Sequence, residues 1–208
     1  MKKVMDKLFN LVKFDKKYIF FSLIIVIFGI IFGSLFIVIL NKTDKNLIIE
    51  YIQEFINNIK NNTFNYTDTF KCTLIINILL IAIMLIFGIT CILSPINILI
   101  LFYKSFIIGF SISGFILSFK LKGVLLSITY IFPHLILNIL ILSLIVAYTL
   151  KLSINLIRST IKKKKANLNI YFQKYIYVII LFILLTMITS SYESFIAPYF
   201  LKKIILFL

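Results

Sequence analysis

The sequence has little of what a water-soluble protein presents at its surface. Among its 208 residues only 14% are charged, only seven are acidic, and tryptophan is absent. Soluble domains keep about a quarter of their residues charged, so a soluble enzyme or binding domain of this length is excluded. The longest polar segment, residues 41–71, is too short to fold as a separate catalytic domain.

Cysteine and histidine are also scarce. Cys72 and Cys91 lie nineteen residues apart at opposite ends of one apolar run, which is about 28 Å along a helix and too far for a disulfide. His134 is the only histidine, and no second histidine or acid lies near it, whereas a metal site needs at least three protein ligands. Phosphate loops, metal-binding helices and nucleophile–base motifs are missing too. We therefore expect no catalytic site, no metal and no cofactor.

What the chain does contain is long apolar runs. Hydrophobic residues make up 62% of the sequence, and the mean hydropathy is +1.10. Several runs reach the ~20 residues that a helix needs to cross the hydrocarbon core of a bilayer. The sequence therefore predicts an all-α, polytopic integral membrane protein that forms a single membrane domain. Its five predicted transmembrane helices cover about 18–40, 73–93, 98–118, 124–150 and 175–197.

Two polar segments carry helical patterns of their own. Residues 1–17 place apolar side chains on one face and lysines on the other, which predicts a cytoplasmic interfacial helix. The loop 41–71 contains an amphipathic helix that either rests on the lipid interface or offers a docking face to an extracytoplasmic partner. The apolar positions of that helix recur at helical spacing: Ile48, Ile52, Phe55, Ile56 and Ile59.

The positive charge is concentrated beside the spans. The formal net charge is +15, and residues 1–17 and 151–174 together hold thirteen of the twenty-two Lys and Arg. Because cytoplasmic loops of membrane proteins are rich in these residues, we expect a cytoplasmic N-terminus and a cytoplasmic connector over 151–174, with 41–71 and the tail 198–208 outside. Because this rule explains the high positive charge, we expect no binding of nucleic acid. The rule assigns no role to the run Lys162 to Lys165.

Ionisable groups inside a span are candidates for function, because a charge in hydrocarbon is costly unless it pairs or reaches the interface. Lys104 lies near the inner end of the predicted third span and Glu193 near the outer end of the fifth. The predicted difference in depth is about 15 to 20 Å, so we expect no direct ion pair. Lys104 can instead extend its long side chain to the inner interface.

The fourth span contains the other polar candidates. His134 and Asn138 are four residues apart and share one helical face. Two alternatives are a structural hydrogen bond to a neighbouring helix and a role in proton relay or ligand binding. Pro133 is expected to kink this span.

The first span contains Gly29 and Gly33, a GxxxG spacing. Such a pair lets two helices approach closely, although chance produces the same spacing in permissive spans.

These features, in this order, resemble the stage II sporulation protein M family. Asn77 and Gly88 resemble that family's asparagine and glycine in the second span, and Lys104 to Phe110, with Gly109, resembles its Lys/Asn-Gly-Phe-hydrophobic-Gly segment. Pro133-His134 is similar to its Pro-His, and Glu193 to Pro198 to its terminal Glu-x-Phe-Ile-x-Pro. The chain departs from the pattern in three places: Ser105 replaces a common glycine, and Leu135 and Asn138 replace a glycine and a glutamate.

The resemblance implies a biological role. It implies a non-enzymatic subunit of the mother-cell membrane that assembles peptidoglycan hydrolases at the septal membrane during engulfment. The implied partners are sporulation protein P, an amidase and endopeptidase, and sporulation protein D, a lytic transglycosylase. Membrane lipid is a further expected partner, and whether the protein forms a homo-oligomer is left undecided by the sequence. One alternative is a transporter or permease-like subunit with a midplane site near Pro133 and His134; another is an intramembrane enzyme.

Overall fold

The computed structural model describes residues 15–90, 93–161 and 168–207, except for the side chains at 132, 134, 160–161, 168–177 and 206–207. Within these residues the chain forms seven α-helices, one π-helical turn over Tyr192–Ile196, and no strand. The α-helices are α1 (Lys16–Ile39), α2 (Lys42–Lys60), α3 (Tyr66–Ile89), α4 (Ser94–Phe119), α5 (Leu121–Ile161), α6 (Leu168–Ser191) and α7 (Ala197–Phe207).

Five helical stretches are long and apolar enough to cross a membrane. The prediction of an all-helical protein with five spans is therefore confirmed. The predicted interfacial helix over 1–17 falls mainly outside the described residues, and the run Lys162 to Lys165 falls wholly outside them. The spans are Lys16–Ile39, Tyr66–Ile89, Ser94–Phe119, Leu135–Ser159 and Val178–Ile205.

The second and third spans begin earlier than the hydropathy pattern predicts. α3 begins at Tyr66 because Asn65 caps it: the Asn65 side chain accepts a hydrogen bond from the Asp68 backbone N–H. α4 begins at Ser94, with Pro95 in its first turn, where a missing N–H costs nothing. The Ser94-Pro95 pair therefore starts the third span and does not only interrupt the apolar run.

The predicted fourth span, 124–150, lies within a longer helix. α5 is a single helix of 41 residues that contains Pro133. The apolar stretches Leu121–Ile131 and Leu135–Ser159 both belong to this one helix, and Pro133 lies between them.

The GxxxG glycines of α1 form a close crossing with α4. A Cβ added at Gly29 would lie 2.5 Å from Ser105 Cβ, and one added at Gly33 would overlap the carbonyl of Phe106. On the other side of the crossing, a Cβ on Gly109 would overlap the carbonyl of Ile30. The two backbones are therefore in direct contact, so the spacing has a packing function and is not a chance occurrence.

A second crossing joins α3 and α5. A Cβ added at Gly88 would overlap the side chain of Thr149, and Ser153 Oγ donates to the Gly88 carbonyl at 2.8 Å. Asn97, which is fully buried, ties α4 to both helices: its Nδ2 donates to Met84 O at 2.8 Å and to Thr149 Oγ1 at 3.1 Å. Three spans are thus joined by one amide.

Asn97→Ala is expected to destabilise the fold by about 1–2 kcal/mol, the upper part of the range for a hydrogen bond between membrane helices. The variant loses both inter-helix bonds and leaves a small void in the core. Unfolding by sodium dodecyl sulfate in mixed micelles, followed by circular dichroism, measures the change. The exposed Asn57→Ala on α2 is the control, and equal stability of the two variants would contradict the role given to Asn97.

The apolar face of α2 packs on the chain's own spans. Ile56 and Ile59 are buried in the main core, and the Phe55 ring lies 5.2 Å from that of Tyr130. Ile48 and Ile52 cover the open side of Gly114 on α4. The two sequence-based alternatives both left this face free, for lipid or for a partner. In the structure it is occupied within the chain.

Candidate functional site: a polar cavity between the spans

The candidate site is a cavity of about 200 Å³ between the spans, which we call the polar cavity. Four parts of the fold line it: α3, α4, α5 and the π-helical turn. Polar groups in hydrocarbon need partners, so their convergence at one place is a feature to be explained. The polar residues among its lining are Thr73, Asn77, Lys104, Asn138 and Glu193.

Lys104 and Glu193 line this cavity together. The predicted separation of 15 to 20 Å in depth is therefore wrong. Lys104 lies ten residues after Ser94, about 15 Å into its span. Glu193 is followed by fourteen further helical residues, to Phe207. Neither residue therefore lies at the end of its helix.

Glu193 is central because the last helix does not end at Pro198. Residues 192–196 form a π-helical turn in which the Ala197 N–H donates to the carbonyl of Tyr192. This shift of the hydrogen-bond pattern occurs just before the proline, which cannot donate. The chain then continues as α7 to Phe207, so residues 198–207 of the predicted outer tail continue the helix of the fifth span.

Two asparagines connect the polar cavity to α6. Asn138 Oδ1 accepts a hydrogen bond from Thr189 Oγ1 at 2.8 Å, and Asn77 Nδ2 donates to Ser190 Oγ at 3.5 Å. Asn138 thus makes the bond to a neighbouring helix that was one of its two predicted roles. The side chain of His134, predicted to act beside it, lies outside the described residues.

The π-helical turn places further polar atoms close to the polar cavity. Ser194, next to Glu193, is fully buried, and its Oγ has no hydrogen-bond partner among the described residues. π-helical turns are frequent at functional sites. The Glu193 carboxylate therefore belongs to a segment that lines the polar cavity and whose backbone is π-helical.

The chemical capacity of the site follows from its groups. An ammonium donates, a carboxylate accepts, and the two amides do both. Such a set can hold a hydrogen-bonding group between the helices. No cluster of three or more His, Cys, Asp or Glu that could hold a metal ion occurs among the described residues.

The structure separates the sequence-predicted residues into groups. Asn77, Lys104, Asn138 and Glu193 meet at the polar cavity, whereas Gly88 and Gly109 lie at helix crossings. Pro198 follows the π-helical turn, and Pro133 lies inside α5.

Sequence reasoning missed the hydroxyl groups of the last span. Thr186, Thr189, Ser190 and Ser194 are all buried. Their spacing of three and four residues in an apolar span indicates one polar helix face, and that signal was available in the sequence.

A family model, described as stage II sporulation protein M, matches residues 22–198. The chain belongs to the stage II sporulation protein M family. The matched region contains every polar residue that lines the polar cavity and ends at Pro198. The resemblance that the short motifs indicated is thereby confirmed, and the chain is a multi-pass membrane protein of a sporulation family. Membership does not favour the transporter alternative.

Neither the comparison with curated proteins nor that with solved structures finds a match.

Proposed function

We propose that this protein is a non-enzymatic membrane scaffold that assembles peptidoglycan hydrolases at the septal membrane during endospore engulfment. The observation that carries the proposal is the family match, which extends over residues 22–198 and so reaches all five spans. The partners we propose are the amidase and endopeptidase called sporulation protein P and the lytic transglycosylase called sporulation protein D. The protein would hold them at the mother-cell side of the septum.

The orientation that this role needs has the N-terminus in the cytoplasm. Thirteen of the twenty-two Lys and Arg belong to residues 1–17 and 151–174, and positive charge favours the cytoplasmic side. Asp15 and Lys151 form an ion pair of 3.2 Å, which supports placing these two segments on the same side. α2 and the C-terminal end would then face the space where wall hydrolases act.

The polar face of α2 is the surface that we assign to partner binding. Ile56 and Ile59 anchor the helix in the core, so its opposite face is presented in a defined orientation. Residues 44–68 carry four of the seven acids in a chain of net charge +15, which makes this region electrostatically distinct. The exposed polar residues of that face are Glu50, Gln53, Glu54, Asn57 and Asn58.

The double variant Glu50→Lys/Glu54→Lys tests this assignment. Recovery of the hydrolases with the scaffold from sporulating cells is expected to fall about tenfold, equivalent to about 1.4 kcal/mol, because two acids that face the partner become basic. The control is Asp44→Lys, an exposed acid in the first turn of the same helix. Equal recovery with all three proteins would remove the polar face of α2 from the interface. If the wild type recovers no hydrolase, the scaffold function itself is wrong.

A further inference from the structure

Beside the polar cavity lies an apolar hollow between α3 and α4. This second hollow has a volume of about 490 Å³ and is lined on α3 by Leu79, Leu80 and Ile83. Ile76 lines both hollows, and the neighbours Tyr103 and Lys104 on α4 line one each. The two hollows are neighbours along the seam of α3 and α4, and we call them together the lateral furrow.

The lateral furrow is open at the lipid-facing surface. Leu79, Leu99 and Tyr103 are 56%, 65% and 63% exposed. On α3 the lining runs from Thr73 to Ile83, ten residues, which is about 15 Å or nearly three helical turns. The shape is that of a groove in which a helix can lie.

The chemistry of the lateral furrow favours a helix over lipid. Its apolar half suits either, because acyl chains and leucine side chains are equally apolar. Its other half exposes an ammonium, a carboxylate and two amides, and an acyl chain offers these no hydrogen bond. One atom of each amide is bonded to α6, and the polar atoms that face the cavity are costly in hydrocarbon unless an occupant bonds to them. An occupant that is apolar along most of its length and polar at one position satisfies both halves.

The two charges also define the polar side chain of the occupant. Lys104 and Glu193 are of opposite sign and line the same space, so the site has no net charge to neutralise. A charged side chain would be attracted by one residue and repelled by the other. A neutral side chain that donates and accepts, such as that of Asn, Gln, Ser or Thr, complements both.

We propose that the lateral furrow receives a transmembrane helix of a partner protein, which inserts one neutral hydrogen-bonding side chain into the polar cavity. The inference rests on the proposed function, and it adds that the scaffold holds a partner through a transmembrane helix of that partner. The apolar half provides packing, and the polar half sets the depth and rotation of the bound helix.

Site-specific photocrosslinking tests which molecule occupies the lateral furrow. A photoreactive phenylalanine replaces Leu79 or Leu99 in the full-length protein in sporulating cells, and Leu184, 54% exposed on α6, is the matched control. The expected result is a product at the first two positions and not at Leu184. Its crosslinked peptide is an apolar helix of a hydrolase-complex protein with one Asn, Gln, Ser or Thr. Products with lipid only, or with a second copy of this chain, would overturn the proposal.

Filling the lateral furrow gives a second and independent test. Leu99→Trp projects extra volume into the apolar hollow, and Leu184→Trp adds the same volume outside it. Recovery of the crosslinked partner is expected to fall about tenfold, or 1.4 kcal/mol, only for Leu99→Trp. Replacing the partner's polar side chain by leucine is expected to weaken recovery as well.

The outcomes distinguish the two proposals. If the hydrolases are recovered equally with Leu99→Trp and wild type, the lateral furrow is not their binding site, while the scaffold function stands. If wild type recovers none of them, the scaffold function is wrong. In that case a crosslink from Leu79 to a polar-bearing transmembrane helix of another identified protein would still support the groove, and lipid products alone would overturn it.

Discussion

Gly109→Ala is expected to lower the free energy of unfolding by about 1–3 kcal/mol, the usual cost of inserting a methyl group into a packed interface. The new Cβ would overlap the carbonyl of Ile30 on α1, and a backbone carbonyl cannot rotate away as a side chain can. α1 and α4 must therefore separate. Gly33→Ala is expected to act in the same way, because its Cβ would overlap the carbonyl of Phe106.

Gly114→Ala is the matched control for this prediction. It lies on the same helix, but the nearest atom to its added Cβ is the flexible Ile52 Cδ1, at 3.0 Å. Alanine has the higher helix propensity by about 1 kcal/mol, so this variant should be neutral or slightly stabilised. Titration with sodium dodecyl sulfate, followed by circular dichroism, measures all three. Equal effects of Gly109→Ala and Gly114→Ala would contradict the close crossing of α1 and α4.

Lys104→Met is expected to destabilise the protein by about 1 kcal/mol or more, because it removes the positive charge that shares the polar cavity with the Glu193 carboxylate. Glu193→Gln alone should also be destabilising, since it leaves the ammonium. The double variant Lys104→Met/Glu193→Gln removes both charges. It should therefore be more stable than the sum of the two single effects indicates.

A double-mutant cycle measures this coupling, which we expect to reach about 1 kcal/mol or more for two charges that share one cavity. Strictly additive effects would show that the two charges act independently, as the sequence-based picture of Lys104 reaching the inner interface requires. The exposed pair Glu50→Gln and Lys60→Met on α2 is a control in which additivity is expected, because solvent and salt screen exposed charges.

The error in the depth of Glu193 shows where sequence reasoning fails in a membrane span. Pro198 was taken as the end of the fifth helix because proline cannot continue the normal hydrogen-bond pattern. The π-helical turn before it rearranges the donors, and the helix continues to Phe207. The amino-acid composition does not reveal a π-helical turn, because such a turn depends on the contacts that neighbouring helices make with it.

The amphipathic helix α2 shows a similar limit. Its periodicity indicates correctly that Ile56 and Ile59 share an apolar face. The same pattern fits lipid, a partner protein or the chain's own spans, because the hydrophobic effect is not directional. Only the packing of Phe55 on Tyr130, and of Ile52 over Gly114, identifies what covers that face.

The sequence by itself determined the class of this protein, its five spans and its family, because the cost of exposing polar backbone in lipid leaves apolar helices of about 20 residues as the available solution. Its short motifs also identified Asn77, Lys104, Asn138 and Glu193 as residues of interest. Only the tertiary structure brought those four to one cavity and opened a furrow beside it. Depth and facing of a side chain depend on where each helix starts, turns and crosses its neighbours, and those are set by contacts between residues far apart in the chain.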